Sequence, residues 1–124
     1  NLILNALDAT DEGAAMEITT QFVPETGFAP GRIGITVRDE GHGIPKETQE
    51  QIFQPYYTTK DHGTGLGLFV CRQLTRHALG GEITLIKSTP QGTEFYVTLP
   101  VVTDCSSNDS SHSSIVCSPE TIAH

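Results

Sequence analysis

The chain has no tryptophan, only three cysteines, and seven lysines and arginines against fifteen aspartates and glutamates. Each shortage removes a class of protein. Cys71, Cys105 and Cys117 are odd in number and show no Cys-x-x-Cys spacing, so neither a disulfide framework nor a zinc site follows. At a net charge of −8 the chain lacks the clustered cations that displace counterions from a nucleic-acid backbone, and no nucleic-acid partner is expected. No apolar run approaches the roughly 20 residues that span a bilayer, and reduced cytoplasm is the simplest setting. The chain opens at Asn1 with neither Met nor a signal-like stretch, so it reads as a piece of something longer. Its 124 residues leave room for one domain with a modest core.

Four short motifs stand in order: Asn1-Leu-Ile-Leu-Asn5-Ala6, Asp39-Glu-Gly41-His-Gly43, Phe53-Gln-Pro-Tyr-Tyr-Thr-Thr-Lys60 and Gly63-Thr-Gly65-Leu-Gly67-Leu68. Residues 1–10 have helical spacing, with Asn1, Asn5 and Asp8 on one face. Strands are expected at 16–23 and 33–39, joined by the turn-rich stretch Pro24 to Gly31. Ile33, Ile35 and Val37 alternate toward one side, and Asp39 ends the strand. Pro45 suits the start of a short helix over Lys46 to Ile52, and 54–64 should be a loop. A longer helix is expected from Gly65 to Leu79, with Leu68, Leu74 and Leu79 as core contacts and Cys71 as a small core residue. Gly80-Gly81 closes it. Strands at Glu82–Lys87 and Thr93–Leu99 follow, with Pro90 to Gly92 as their turn. From Asp104 to His124 seven of 21 residues are Ser, and this tail is expected to be disordered.

Each motif suggests chemistry. A carboxylate ending a strand, as Asp39 does, can accept a hydrogen bond from an adenine amino group, while Gly41 and Gly43 let backbone approach the base. The rings of Phe53, Tyr56 and Tyr57 can anchor a lid that lacks regular structure, and Lys60 is a mobile point charge for a γ-phosphate. Gly63 to Gly67 runs into a helix, where backbone N–H groups and the dipole favour anions and Thr64 adds a hydroxyl. This loop is neither a Walker loop, lacking Gly-Lys-Ser/Thr, nor a dinucleotide fingerprint, lacking a preceding strand. Magnesium takes oxygen ligands and shares its shell with substrate phosphates, which a side-chain carbonyl on a rigid helix suits.

The four motifs, in this order and spacing, closely resemble the ATP-binding catalytic domain of bacterial sensor histidine kinases, in the superfamily shared with gyrase, Hsp90 and MutL. The resemblance covers about residues 1–100, including Leu79-Gly-Gly-Glu-Ile83 and Gly92-Thr-Glu-Phe-Tyr-Val-Thr-Leu-Pro100. Tyr56 departs mildly from the family's usual Phe. The fold implied is α+β, a two-layer sandwich of a mixed β-sheet with helices on one face. The family has further strands and a helix ahead of the Asn-bearing helix, so this sheet is expected to lack its N-terminal strands. A domain at 1–103 and a tail at 104–124 follow.

By this resemblance Asn5 is the Mg²⁺ ligand, and Asn1 supports it or the phosphates. Asp39, Gly41 and Gly43 hold the base. Lys60, Gly63, Thr64, Gly65, Leu66, Gly67 and Leu68 complete the ATP site, with Asn5 and Lys60 as the catalytic pair. The gyrase and Hsp90 branch carries Glu at position 1 as the general base that activates water. Asn1 cannot accept a proton at neutral pH, so the site looks built for transfer rather than hydrolysis. The activity implied is that of a protein histidine kinase in a two-component phosphorelay. The acceptor His would lie on a separate dimerisation domain, and the phosphate would pass on to a response regulator. A homodimer is expected only of the full-length protein, which in many relatives crosses a membrane ahead of this domain. None of the five histidines stands in an acceptor setting. The alternatives are an anti-sigma-type serine kinase, which the aromatic lid motif argues against, and a nucleotide-binding module without catalysis, which the intact motifs disfavour.

Overall fold

The structure is a computed structural model and describes residues 1–101. The Ser-rich segment 104–124, with Cys105, Cys117, His112 and His124, lies outside the described residues. Helix α1 (Leu2–Ala9) comes first, with Asn1 as its N-cap residue. Strands β1 (Met16–Val23) and β2 (Arg32–Asp39) follow. A single 3₁₀ turn spans Lys46–Thr48, and helix α2 is Gly67–Gln73. Strands β3 (Glu82–Thr89) and β4 (Gly92–Pro100) end the fold.

Sheet order is β1-β2-β4-β3, and α1 packs on β2 while α2 and the turn after it pack on β3. This is the expected α+β two-layer arrangement. The expected mixed sheet is antiparallel at every described pairing. β1–β2 and β3–β4 are consecutive antiparallel pairs, and the α2 crossover delivers β3 to the far side of β4 rather than alongside β2.

Register explains the core. Val37, Phe95 and Leu85 form one cross-strand row, and Ile35, Val97 and Ile83 form the next. Alternation puts each row on the same face, where Val37, Ile83, Phe95 and Val97 are buried with Ala6 of α1 and Ile52. On the opposite face the Tyr96 ring lies across Gly34, where a Cβ would collide with it. β1 continues the core rows with Ile18 beside Val37 and Phe22 beside Ile33. Both side chains nonetheless remain exposed, as do Ile3, Leu4 and Leu7 of α1.

Three expectations fail locally. The helix expected over Lys46–Ile52 is one 3₁₀ turn followed by i→i+3 turns: Gln51 N–H donates to Thr48 O, Gln54 to Gln51 O and Tyr57 to Gln54 O. Polar side chains compete for its backbone, with Thr48 Oγ1 donating to Pro45 O and Gln49 Nε2 to Ile44 O. The helix expected from Gly65 to Leu79 starts at Gly67 and widens after Gln73 into a π turn, Leu74–Ala78. There Thr75 Oγ1 donates to Cys71 O, and Leu79 N–H reaches back to Leu74 O. Leu74 and Leu79, expected in the core, are more than half exposed, and Cys71 is half-buried. Helical spacing placed them on a stripe, but no described element covers that stripe.

Candidate functional site

Asp39 sits at the end of β2 with 5% of its surface exposed, and its Oδ1 accepts the Gly41 N–H at 2.9 Å. Register sets it beside Thr93 of β4. A hydroxyl chain runs next to it: Ile44 N–H donates to Ser88 Oγ at 2.7 Å, and Ser88 Oγ lies 2.9 Å from Thr93 Oγ1. The turn after Asp39 is fastened on both sides. His42 N–H donates to Ala9 O at the end of α1, and Glu40 N–H donates to Ala15 O. Gly43 has φ +78°, and a Cβ there would fall on the Thr89 carbonyl. Only glycine satisfies both conditions.

Residues 53–68 follow a different pattern. Phe53 meets Phe95 edge-on, with centroids 6.2 Å apart and planes at 84°, and the Arg72 guanidinium lies 4.5 Å from its centroid. Arg72 Nε stands 3.4 Å from Glu82 Oε1 without hydrogen-bond geometry, while Arg76 Nε donates to both Glu82 oxygens. Partial burial works against the charged form of Glu82. The Arg76 hydrogen bonds, the Ile83 N–H and the charges of Arg76 and Arg72 outweigh it and hold the carboxyl below its ordinary value. Phe53 thus roots the loop in the core. Tyr56, expected to help, does not: the residue is 76% exposed and its φ is +65°. Gly65, at φ +71°, leaves no room for a Cβ against the Tyr56 backbone, so the loop is folded onto itself rather than anchored by that ring.

Lys60 reaches back to α1. Its Nζ lies 2.6 Å from Asp8 Oδ2 and 3.3 Å from Asn5 Oδ1, and its N–H donates to Thr58 Oγ1. Thr64 Oγ1 accepts the Leu66 N–H at 3.3 Å. A Cβ on Gly67 would stand 3.6 Å from Asn1 Oδ1, so α2 begins against the first residue of the chain. Leu66 and Leu68 are half-buried beside it, and Gly63 packs on Thr58.

All four motifs therefore meet along α1. The Asp39–Gly43 turn docks at Ala9, Lys60 at Asp8 and Asn5, and the glycine loop's helix at Asn1. Ala9 and Asn1 are eight residues apart, about 12 Å of helical rise. Asp8 shares the helical face of Asn1 and Asn5, and the sequence alone gives it no role, because a polar helix face ordinarily meets water. The signal was its three-residue step from Asn5. The Ser88–Thr93 pair left no trace in sequence, since it depends on strand register. Among the described residues no cluster of His, Cys, Asp and Glu has metal-holding geometry, and no helix is long and apolar enough to cross a membrane.

A family model for histidine kinase-, DNA gyrase B- and HSP90-like ATPases matches residues 1–103. Sporulation kinase C of Bacillus subtilis is 35% identical over 104 residues, which cover 84% of this chain and 23% of that protein. The chain thus spans about a quarter of that relative. The solved catalytic domain of histidine kinase ThkA is 35% identical, with a TM-score of 0.65 over 80% of this chain and 60% of that one. Full-length ShkA in complex with AMPPNP superposes with a TM-score of 0.68 at 28% identity, over 82% of this chain and 20% of that one. ThkA in complex with response regulator protein TrrA gives 0.63 at 29% identity, over 82% and 27%.

Proposed function

We propose, from the premise that the chain belongs to the histidine kinase-, DNA gyrase B- and HSP90-like ATPase family, that it is the catalytic part of a two-component sensor histidine kinase. It binds Mg·ATP and presents the γ-phosphoryl group to a His on a separate dimerisation domain. The phosphate then passes to a response regulator, a partner suggested by the ThkA complex. The observation that carries this reading is the alignment along α1: a buried carboxylate at one end, an ammonium in the middle and a glycine loop at the other. This order suits a base at the carboxylate and a phosphate chain with its metal along the rest of the helix.

Each residue takes a definite part. Asp39 Oδ1 is already held by Gly41 N–H, which orients the carboxylate and leaves Oδ2 to accept from the adenine amino group. Gly41 and Gly43 admit the Ala9 and Thr89 carbonyls where a Cβ would stand, which holds the turn in place for the base. Within the Gly63–Leu68 loop the amides of Thr64, Gly65, Gly67 and Leu68, with the Thr64 hydroxyl, cradle the phosphates, while Gly63 and Leu66 N–H brace the loop itself, and Lys60 neutralises the γ-phosphate. The donor set on α1 fits magnesium, because Asn5 Oδ1 and Asp8 Oδ2 are both oxygens and already converge on one cation, the Lys60 ammonium. Bound there through Asn5, Mg²⁺ would screen the phosphate charge that builds up during transfer. Asn1, unable to accept a proton, offers no general base for water. The site therefore waits for a nucleophile from another domain.

Calorimetric titration with a non-hydrolysable ATP analogue, with and without Mg²⁺, tests this alongside circular dichroism. Saturable, magnesium-dependent binding by the folded chain is expected, followed by phosphotransfer once a dimerisation domain is supplied. A folded chain that binds no nucleotide would overturn the reading.

A further inference from the structure

The Lys60 ammonium touches a carboxylate and a carboxamide oxygen three residues apart on one turn of α1. Nothing in phosphate neutralisation asks for that contact. A γ-phosphate lysine needs only to reach its phosphate, yet here it is turned toward the helix that offers the metal its oxygens. The two oxygens make a small anionic cleft, and an ammonium and a magnesium ion cannot share it.

We propose that Lys60 is the resident cation of the magnesium position in the nucleotide-free chain, and that Asp8 is the positioning residue for both occupants. In the empty site Asp8 and Asn5 hold the ammonium and so tie residues 54–64 to α1. When nucleotide loads, Lys60 leaves for the γ-phosphate, which frees Asn5 Oδ1 to hold the metal and leaves the Asp8 carboxylate beside it as the charge that would position it. Loading is thus an exchange of one cation for another, and the loop is released by the event that fills the site. The pair suits such a switch. Its side chains are 47% and 58% exposed, and exposed pairs stabilise only weakly, so magnesium with its phosphates displaces the ammonium readily.

The inference rests on the Mg·ATP reading, but two measurements separate their failures. The first needs no nucleotide: hydrogen exchange of amides 54–64 in the full chain. Asp8→Asn and Lys60→Met should each speed exchange by about two- to five-fold, and the double variant should add nothing further. Unchanged exchange in both single variants would overturn the latch whatever the chain binds.

The second is a magnesium titration at fixed ADP and at fixed ATP analogue, followed by calorimetry. ADP has no γ-phosphate for Lys60 to touch. Lys60→Met should therefore lower the Mg²⁺ concentration needed for half-maximal ADP binding, because a competitor is gone. The same variant should weaken the ATP analogue, and Asp8→Asn should raise the Mg²⁺ requirement for both. A Lys60→Met chain needing as much Mg²⁺ for ADP as the parent, or more, would sink the exchange. A parent chain that binds neither nucleotide would instead fail the functional reading and remove the exchange with it.

Discussion

The two segments that dock on α1 are built to opposite specifications. In the first segment, Asp39 is buried and its turn is fixed by backbone contacts to α1, to β3 and to the segment before β1. In the second segment, residues 54–64 are almost all exposed. They are held by Phe53, which packs on Phe95 and under Arg72, and by Lys60 on Asp8 and Asn5. The Asp39 turn is part of the sheet and shares its stability, whereas the Lys60 loop is attached to it. Substitutions in the first segment should disturb fold and affinity together unless they are isosteric. In the second they should change ligand handling and leave the fold standing.

Gly43→Val should break the comparison most severely. A β-branched residue at φ +78° is strained, and its Cβ would occupy the Thr89 carbonyl. The loss should reach about 3–5 kcal/mol, read as a shift of the urea midpoint by circular dichroism. A variant as stable as the parent would mean that the turn is not fixed in the way described.

Asp39→Asn sharpens it by removing recognition and sparing structure. The amide oxygen can still accept the Gly41 N–H, so stability should hardly change. Affinity for the ATP analogue should fall by about ten- to a hundred-fold, and discrimination against GTP should erode. Calorimetry with both nucleotides checks this; intact affinity and preference would show that the carboxylate does not read the base.

At the lid end Tyr56→Gly should stabilise by about 1 kcal/mol or less, since the ring is mostly in water and glycine adopts φ +65° without strain. Thermal denaturation decides it, and a clear loss of stability would assign the ring a packing role after all.

The smallest effect should come from Glu82→Gln, at the root of the lid through Arg72 and Phe53. The folded carboxyl titrates below its unfolded value of 4.5. Its stabilisation is therefore present above about pH 4.5 and lost as pH falls through the folded value. With 41% of the side chain exposed, the size is below about 1 kcal/mol. The parent should lose melting temperature more steeply than the variant below pH 4.5, and superimposed pH profiles would mean that the ion pairs contribute nothing.

Much of this was legible in the chain because it depends on local periodicity. Ile33, Ile35 and Val37 alternate and do share the core face of β2; Asn1, Asn5 and Asp8 recur at helical steps and do share a face of α1. What periodicity cannot report is whether another layer covers a stripe, which is why Leu74 and Leu79 were expected inside and stand in water. Nor does it distinguish α from 3₁₀ or π hydrogen bonding. Those choices at Lys46–Thr48 and Leu74–Ala78 were made by Thr48, Gln49 and Thr75 side chains competing for backbone carbonyls. Contacts between distant segments, such as Lys60 on Asp8 or Ser88 beside Thr93, became visible only when the sheet register and the loop were in place.

The ring that lies across Gly34 gives the molecule an optical reporter. With no tryptophan to dominate the emission, ultraviolet fluorescence comes from three tyrosines. Tyr56 and Tyr57 sit in the exposed loop that carries Lys60, and Tyr96 is pinned against the sheet. Quenching by a small solute should dim Tyr56 first and Tyr96 last, so a single unlabelled sample carries separate signals for the loop and for the fold.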